Sequence, residues 1–145
     1  MTLLYADTSA IVRAYFPDED DHEQLRALIL EGDAPVATSE IARDEFASAV
    51  TGAARAKRLR RPAVFIDRST PTPQRMARRA PSIRWNGRPL ACARLVVEDR
   101  LRTLDAIHLA VALEALPELG GKAVAILTRD CRQASAARRH GLAVS

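Results

Sequence analysis

Aromatic residues are scarce in this chain of 145 residues, which holds three Phe, two Tyr and one Trp. Ala, Leu and Val must therefore fill most of the core, and the length is enough to build one without disulfides or structural metal. Cysteine is almost missing as well. Cys92 and Cys131 stand alone with no CxxC spacing, so they read as core or surface thiols. No segment approaches the roughly 18 apolar residues of a membrane span. Met1-Thr2-Leu3-Leu4 runs directly into a strand-like stretch, with no basic region or long apolar run before it. The expected compartment is a reducing cytoplasm. Internal repeats and interdomain linkers are lacking too, so residues 1–145 are expected to form a single domain.

What is present is an uneven charge. Residues 55–102 carry 14 Lys or Arg against Asp67, Glu98 and Asp99, a net +11, while the rest carries 8 basic and 15 acidic residues, a net −7. A basic surface beside an acidic one suits a protein that meets a polyanion at one place and holds cations at another. An Arg-rich solvated surface explains the charge equally well.

Short apolar runs alternate with helical patterns. Leu3 to Ala6, Val36 to Thr38, Ser82 to Trp85, Val124 to Leu127 and Leu142 to Val144 read as strands. Between them, Thr8 or Ser9 can cap a helix ended by Pro17. Asp18 to Asp21 can open a second helix that stops at Gly32, and Ser39 can cap a third reaching about Arg58. A helix from Pro89 to about Asp99 follows a turn at Asn86-Gly87. Thr103 can cap another, ending at Pro117, and the last spans about Arg132 to His140. The stretch from Leu59 to Pro81 is basic and broken by four prolines. Strands alternating with helices predict an α/β fold, a three-layer α/β/α sandwich with a mainly parallel central sheet.

Four acids interrupt this pattern. Asp7 follows the first strand, where open α/β sheets bind ligands, although Asp also caps helices well. Glu45 lies inside the apolar stripe Ile41, Ala42, Phe46, Ala49, Val50 and Ala53, where a bare carboxylate costs several kcal/mol. It needs an Arg partner or a metal. Asp105 sits on the inner side of its helix, four residues before Leu109, although a first-turn acid also suits the helix dipole. His108, one turn on, reads as a hydrogen-bonded neighbour or core residue. Asp130 follows the fourth strand and can cap the final helix. Two carboxylates about 4 Å apart repel by roughly 4 kcal/mol at an effective dielectric near 20, so four together would hold protons or a hard cation. Oxygen ligands without paired His or Cys favour Mg²⁺ or Mn²⁺ over Zn²⁺.

Asp7-Thr8-Ser9-Ala10, Ser39 with Glu45, Leu101 to Ala110 around Asp105, and Leu127-Thr128-Arg129-Asp130 together resemble the four acidic motifs of PIN-domain ribonucleases, in particular the VapC-type toxins of bacterial toxin–antitoxin pairs. The resemblance implies that Asp7, Glu45, Asp105 and Asp130 are catalytic and hold Mg²⁺ or Mn²⁺, with Thr8, Ser9 and Thr128 as polar neighbours. It implies cleavage of single-stranded regions of RNA by metal-activated water, a homodimer, and a cognate VapB-type antitoxin. Segment 55–102 would then face RNA or the antitoxin. Residues 63–90, rich in Pro and Arg, depart from the family's pattern.

Haloacid-dehalogenase-type phosphoryl transfer needs a second Asp two residues after the first, where this chain has Ser9. A receiver domain needs paired acids in that loop, which reads Asp7-Thr8-Ser9. The remaining alternative is a catalytically silent PIN-fold module that binds RNA or protein.

Overall fold

The computed structural model describes residues 2–59, 82–84, 89–118 and 123–145. Along them run β1 (Thr2–Ala6), α1 (Thr8–Tyr15), α2 (His22–Arg26), β2 (Val36–Ser39), α3 (Ala42–Arg55), β3 (Ser82–Ile83), α4 (Pro89–Glu98), α5 (Thr103–Glu118), β4 (Ala123–Leu127), α6 (Cys131–Arg139) and β5 (Ala143–Val144). The strands form one parallel sheet in the order β3-β2-β1-β4-β5. The fold is a three-layer α/β/α sandwich.

The alternation of side chains along a strand builds the layers. Leu4 and Ala6 of β1, Val36 of β2, and Ala125 and Leu127 of β4 face one way. They pack with Ile11, Phe16, Leu25, Phe46 and Val50 from α1, the chain just after it, α2 and α3. Leu3, Tyr5, Ala37 and Ile126 face the other way, onto Leu95, Ala106, Leu109, Ala110, Ala136 and Ala137 from α4, α5 and α6. Alanine at Ala106, Ala110, Ala136 and Ala137 keeps this second layer thin. On the first side Phe46 is fully buried, with edge contacts to Tyr15 and Phe16 at centroid distances of 5.3 and 6.5 Å.

The sheet order places the site. From β1 the chain moves outward through β2 and β3, then returns to the other side of β1 with β4 and β5. Strand order therefore reverses between β1 and β4, and their carboxyl ends define the crevice where such sheets bind ligands. The two strands run in register from Thr2 opposite Ala123 to Ala6 opposite Leu127, and the Asp7 amide donates to the Leu127 carbonyl at 3.0 Å.

Several boundaries differ from the expectations, each for a local reason. Thr8 and Ser9 are already helical, because Asp7 is the α1 cap and its Oδ2 accepts from the Ser9 amide. The second helix is α2 followed by a π-helical turn over Ala27–Glu31. Gly32 ends it in extended conformation, where an added Cβ would come within 2.9 Å of the Ala27 carbonyl oxygen. Ser39 caps no helix: it ends β2, and α3 starts at Ala42 behind Ile41 with no side-chain cap. Helix α3 ends at Arg55, short of Arg58. Thr103 is the first residue of α5 rather than its cap, and the helix continues past Pro117 to Glu118. The third strand stops at Ile83. The proline-broken stretch over 60–81, the Asn86-Gly87 turn and the Gly120-Gly121 pair lie outside the described residues, as does the middle of the basic segment.

Candidate active site

Asp7 and Asp130 each close a strand and cap the helix that follows. Asp7, 4% exposed, accepts at Oδ2 from the Ser9 amide at 3.1 Å, the Ser9 hydroxyl at 2.7 Å and the Thr128 hydroxyl at 3.4 Å. Asp130 accepts at Oδ1 from the amides of Arg132 and Gln133 at 2.8 and 3.0 Å. Thr128 Oγ1 also accepts from the Asp130 amide at 3.1 Å, and Ser9 Oγ accepts from the Arg129 amide at 2.9 Å. These hydroxyls tie the end of β1 to the end of β4.

Glu45 reaches the same crevice from α3. It is half-buried, and its Oε2 accepts from the Thr8 hydroxyl at 2.5 Å and from His108 Nε2 at 2.6 Å. The Arg partner that the sequence left open is not among its described ion pairs; the partner is His108. Burial works against ionisation of Glu45. The hydrogen bond and charge of His108, then the Thr8 hydroxyl, outweigh it and hold the carboxyl below its usual range.

His108 is fully buried and joins more elements than any residue type at the site foretold. Its Nδ1 lies 2.7 Å from the Tyr5 hydroxyl and 3.3 Å from Ser39 Oγ, and its Nε2 lies 3.2 Å from Thr8 Oγ1 and 3.5 Å from Asp7 Oδ1. Burial disfavours the imidazolium, yet the Glu45 hydrogen bond and the charges of Asp7, Glu45 and Asp105 raise its pKa above the ordinary value. The sequence argument left protons, an Arg or a hard cation as partners for the acids; the hydrogen bond from His108 to Glu45 is a partner it did not name.

Asp105 is the acid least provided for. It is half-buried in the first turn of α5, and among the described residues its carboxylate takes no hydrogen bond. Burial and then the charges of Asp130 and Asp7 push its pKa up, only partly opposed by His108 and Arg102. The Asp105 backbone carbonyl accepts from Gln133 Nε2 at 3.1 Å, while the fully buried Gln133 Oε1 is without a partner among the described residues.

One regularity bears on whether these residues suit a metal. Asp7, Glu45 and Asp130 are each anchored through a single oxygen, Oδ2, Oε2 and Oδ1 respectively. The second oxygen of Glu45 and of Asp130 takes no hydrogen bond among the described residues, and Asp7 Oδ1 has only the 3.5 Å contact to His108. Hard oxygen donors held at one end and open at the other fit a hard divalent cation. As they stand, no three acids, imidazoles or thiolates among the described residues enclose an ion. Donor chemistry and charge fit; the enclosure is not preformed.

Beside Glu45 opens a cleft of about 690 Å³, lined by Thr8, Ile41, Asp44, Glu45, Ser48, Ala49 and Leu104. Leu104, 46% exposed, forms its apolar rim. Sequence reasoning missed Tyr5, Gln133 and the true partner of Ser39. A hydroxyl in an otherwise apolar strand and an amide in an Ala-rich helix were the available signals. Compared with known families, residues 4–139 match the PIN domain. No curated protein matches the chain.

Proposed function

The chain belongs to the PIN domain family, and on that premise we propose that it is a Mg²⁺- or Mn²⁺-dependent endoribonuclease, the toxin of a type II toxin–antitoxin pair. PIN domains are in general nucleases, hydrolases of phosphodiester bonds. The observation that carries the finer reading is that Asp7, Glu45 and Asp130 are each anchored through one oxygen, with His108 Nε2 reaching both Glu45 and Asp7 and Thr128 reaching both Asp7 and the Asp130 amide.

Those four side chains would hold the ion, with Glu45 as the contribution of α3. When bound, a divalent cation activates water and neutralises charge on the attacked phosphate. The protein's own part is orientation. Ser9 and Thr128 fix Asp7, Thr8 and His108 fix Glu45, and the α6 amides fix Asp130. The open cleft beside Glu45 gives a single RNA strand access, and its Ile41, Ala49 and Leu104 walls suit a base face. Exposed Arg102, whose charge reaches Asp105, supplies a contact for the backbone. Leu90 and Val97, 79% and 75% exposed and two turns apart on α4, support a protein partner, either a second copy or a VapB-type antitoxin. No described helix is long and apolar enough to cross a membrane, and we place the protein in the cytoplasm.

The competing reading, a silent PIN-fold binding module, draws on the hydrogen bond by which His108 already engages Glu45. One assay separates the two. A fluorescent single-stranded oligoribonucleotide, incubated with the protein and Mg²⁺ or Mn²⁺, is expected to be cut, and excess EDTA is expected to stop the cutting. Equal cleavage with and without chelator excludes the metal-dependent reading, and RNA bound but left intact at saturating metal favours the silent module.

A further inference from the structure

Resting on the metal-dependent reading above, we infer that His108, set by Tyr5, is a positioning residue that locks Glu45 Oε2 and thereby presents Oε1 to the cation. The case begins with acceptors. A carboxylate oxygen accepts hydrogen bonds only, so the 2.6 Å contact to Glu45 Oε2 requires a hydrogen on His108 Nε2. Across the ring, Nδ1 meets the Tyr5 hydroxyl at 2.7 Å, which can donate to it or accept from it. Whichever way that bond runs, Nε2 keeps its hydrogen toward Glu45, and the geometry holds in both charge states of the ring.

The ring cannot easily turn away. His108 is fully buried, Tyr5 packs against it edge-on with ring centroids 5.9 Å apart, and Ser39 Oγ adds a second contact at Nδ1. Tyr5 is itself fully buried on β1, the strand that ends in Asp7. Thr8 completes a triangle, donating to Glu45 Oε2 at 2.5 Å and lying 3.2 Å from His108 Nε2. Glu45 is the one site acid with three side-chain torsions, and it arrives from α3, which carries none of the other acids. Without an anchor its carboxylate would sample several rotamers over the cleft. Anchoring through one oxygen removes that freedom before any ion arrives, as outer-shell partners do for metal ligands elsewhere.

The test is Mn²⁺ binding, read directly by titration calorimetry on the intact chain without RNA, with circular dichroism melts alongside. In His108→Gln the side-chain amide can place an N–H near the position of Nε2; His108→Ala cannot. The dissociation constant for Mn²⁺ is expected to weaken by about 10–100-fold in H108A, the range seen when outer-shell partners are lost. H108Q is expected to stay within about threefold of wild type, even if both variants melt lower. Tyr5→Phe, which removes one hydroxyl and keeps the ring, is expected to weaken binding by about 3–10-fold, and it serves if H108A does not fold. Wild-type affinity in folded H108A, in Y5F, or equal weakening in H108A and H108Q overturns the positioning role. Wild-type protein that binds no Mn²⁺ overturns the metal-dependent reading itself, and is told apart from the other failures because it appears before any variant is compared.

Discussion

Asp7→Asn is expected to lower the rate of RNA cleavage by about 10²–10³-fold or more, the scale on which removing one electrostatic stabiliser from an active site is felt. The fold is expected to survive. Asp7 caps α1 by accepting from the Ser9 amide, and Asn caps helices about as well as Asp. The amide oxygen can also take over the Ser9 hydroxyl's hydrogen bond. What the variant lacks is charge at the point where strand order reverses, beside Asp105, whose raised pKa already registers Asp7. The oligoribonucleotide assay, run with a thermal melt, checks both halves. A folded variant that cuts at the wild-type rate removes Asp7 from the catalytic set, whereas an unfolded one gives Asp7 a structural role instead.

Phe46→Ala is expected to destabilise the protein by about 3–5 kcal/mol, the range for truncating a buried Phe. Against a total stability of roughly 5–15 kcal/mol, such a loss leaves the chain barely folded at moderate temperature. The magnitude follows from composition. Six aromatics serve the whole chain, and three of them, Tyr15, Phe16 and Phe46, meet on one side of the sheet. Phe46 is fully buried among Ile11, Leu25 and Val50, with few large neighbours able to close the void. It also lies next in sequence to Glu45, so the residue that anchors α3 in the core sets the depth at which the acid enters the crevice. Denaturant titration measures the effect, and a loss below about 1 kcal/mol would mean that this side of the core repacks freely.

How far the sequence disclosed this arrangement depended on which force fixed each element. The strands were legible because a buried parallel sheet demands short apolar runs: Leu3 to Ala6 and Val124 to Leu127 lie in register at the sheet's centre. Glu45 stood out because a carboxylate inside an apolar stripe needs a partner, and the structure supplies one in His108. The identity of that partner was not legible. Residues 45 and 108 are far apart in the chain, and only the sandwich brings α3 and α5 together over the carboxyl end of β1. Ser39 was misassigned for the same reason. A serine ahead of a helical pattern reads locally as a cap, but β2 extends through it and turns its hydroxyl toward His108. Local signals also failed to foretell the π-helical turn after α2, where the constraint is the close backbone approach at Gly32. The four acids stood out from their positions together, while the anchoring of three of them through a single oxygen was not legible.

The claim beneath the functional account is that these carboxylates together hold divalent metal at the β1/β4 crevice. Diffraction from a crystal soaked in Mn²⁺, recorded for anomalous scattering, measures this without reference to any substrate. The account predicts an anomalous peak beside the carboxylates of Asp7, Glu45, Asp105 and Asp130, which would hold the metal. A crystal saturated with Mn²⁺ that shows no peak there, with Glu45 still held by His108 and Asp105 turned to solvent, would contradict it.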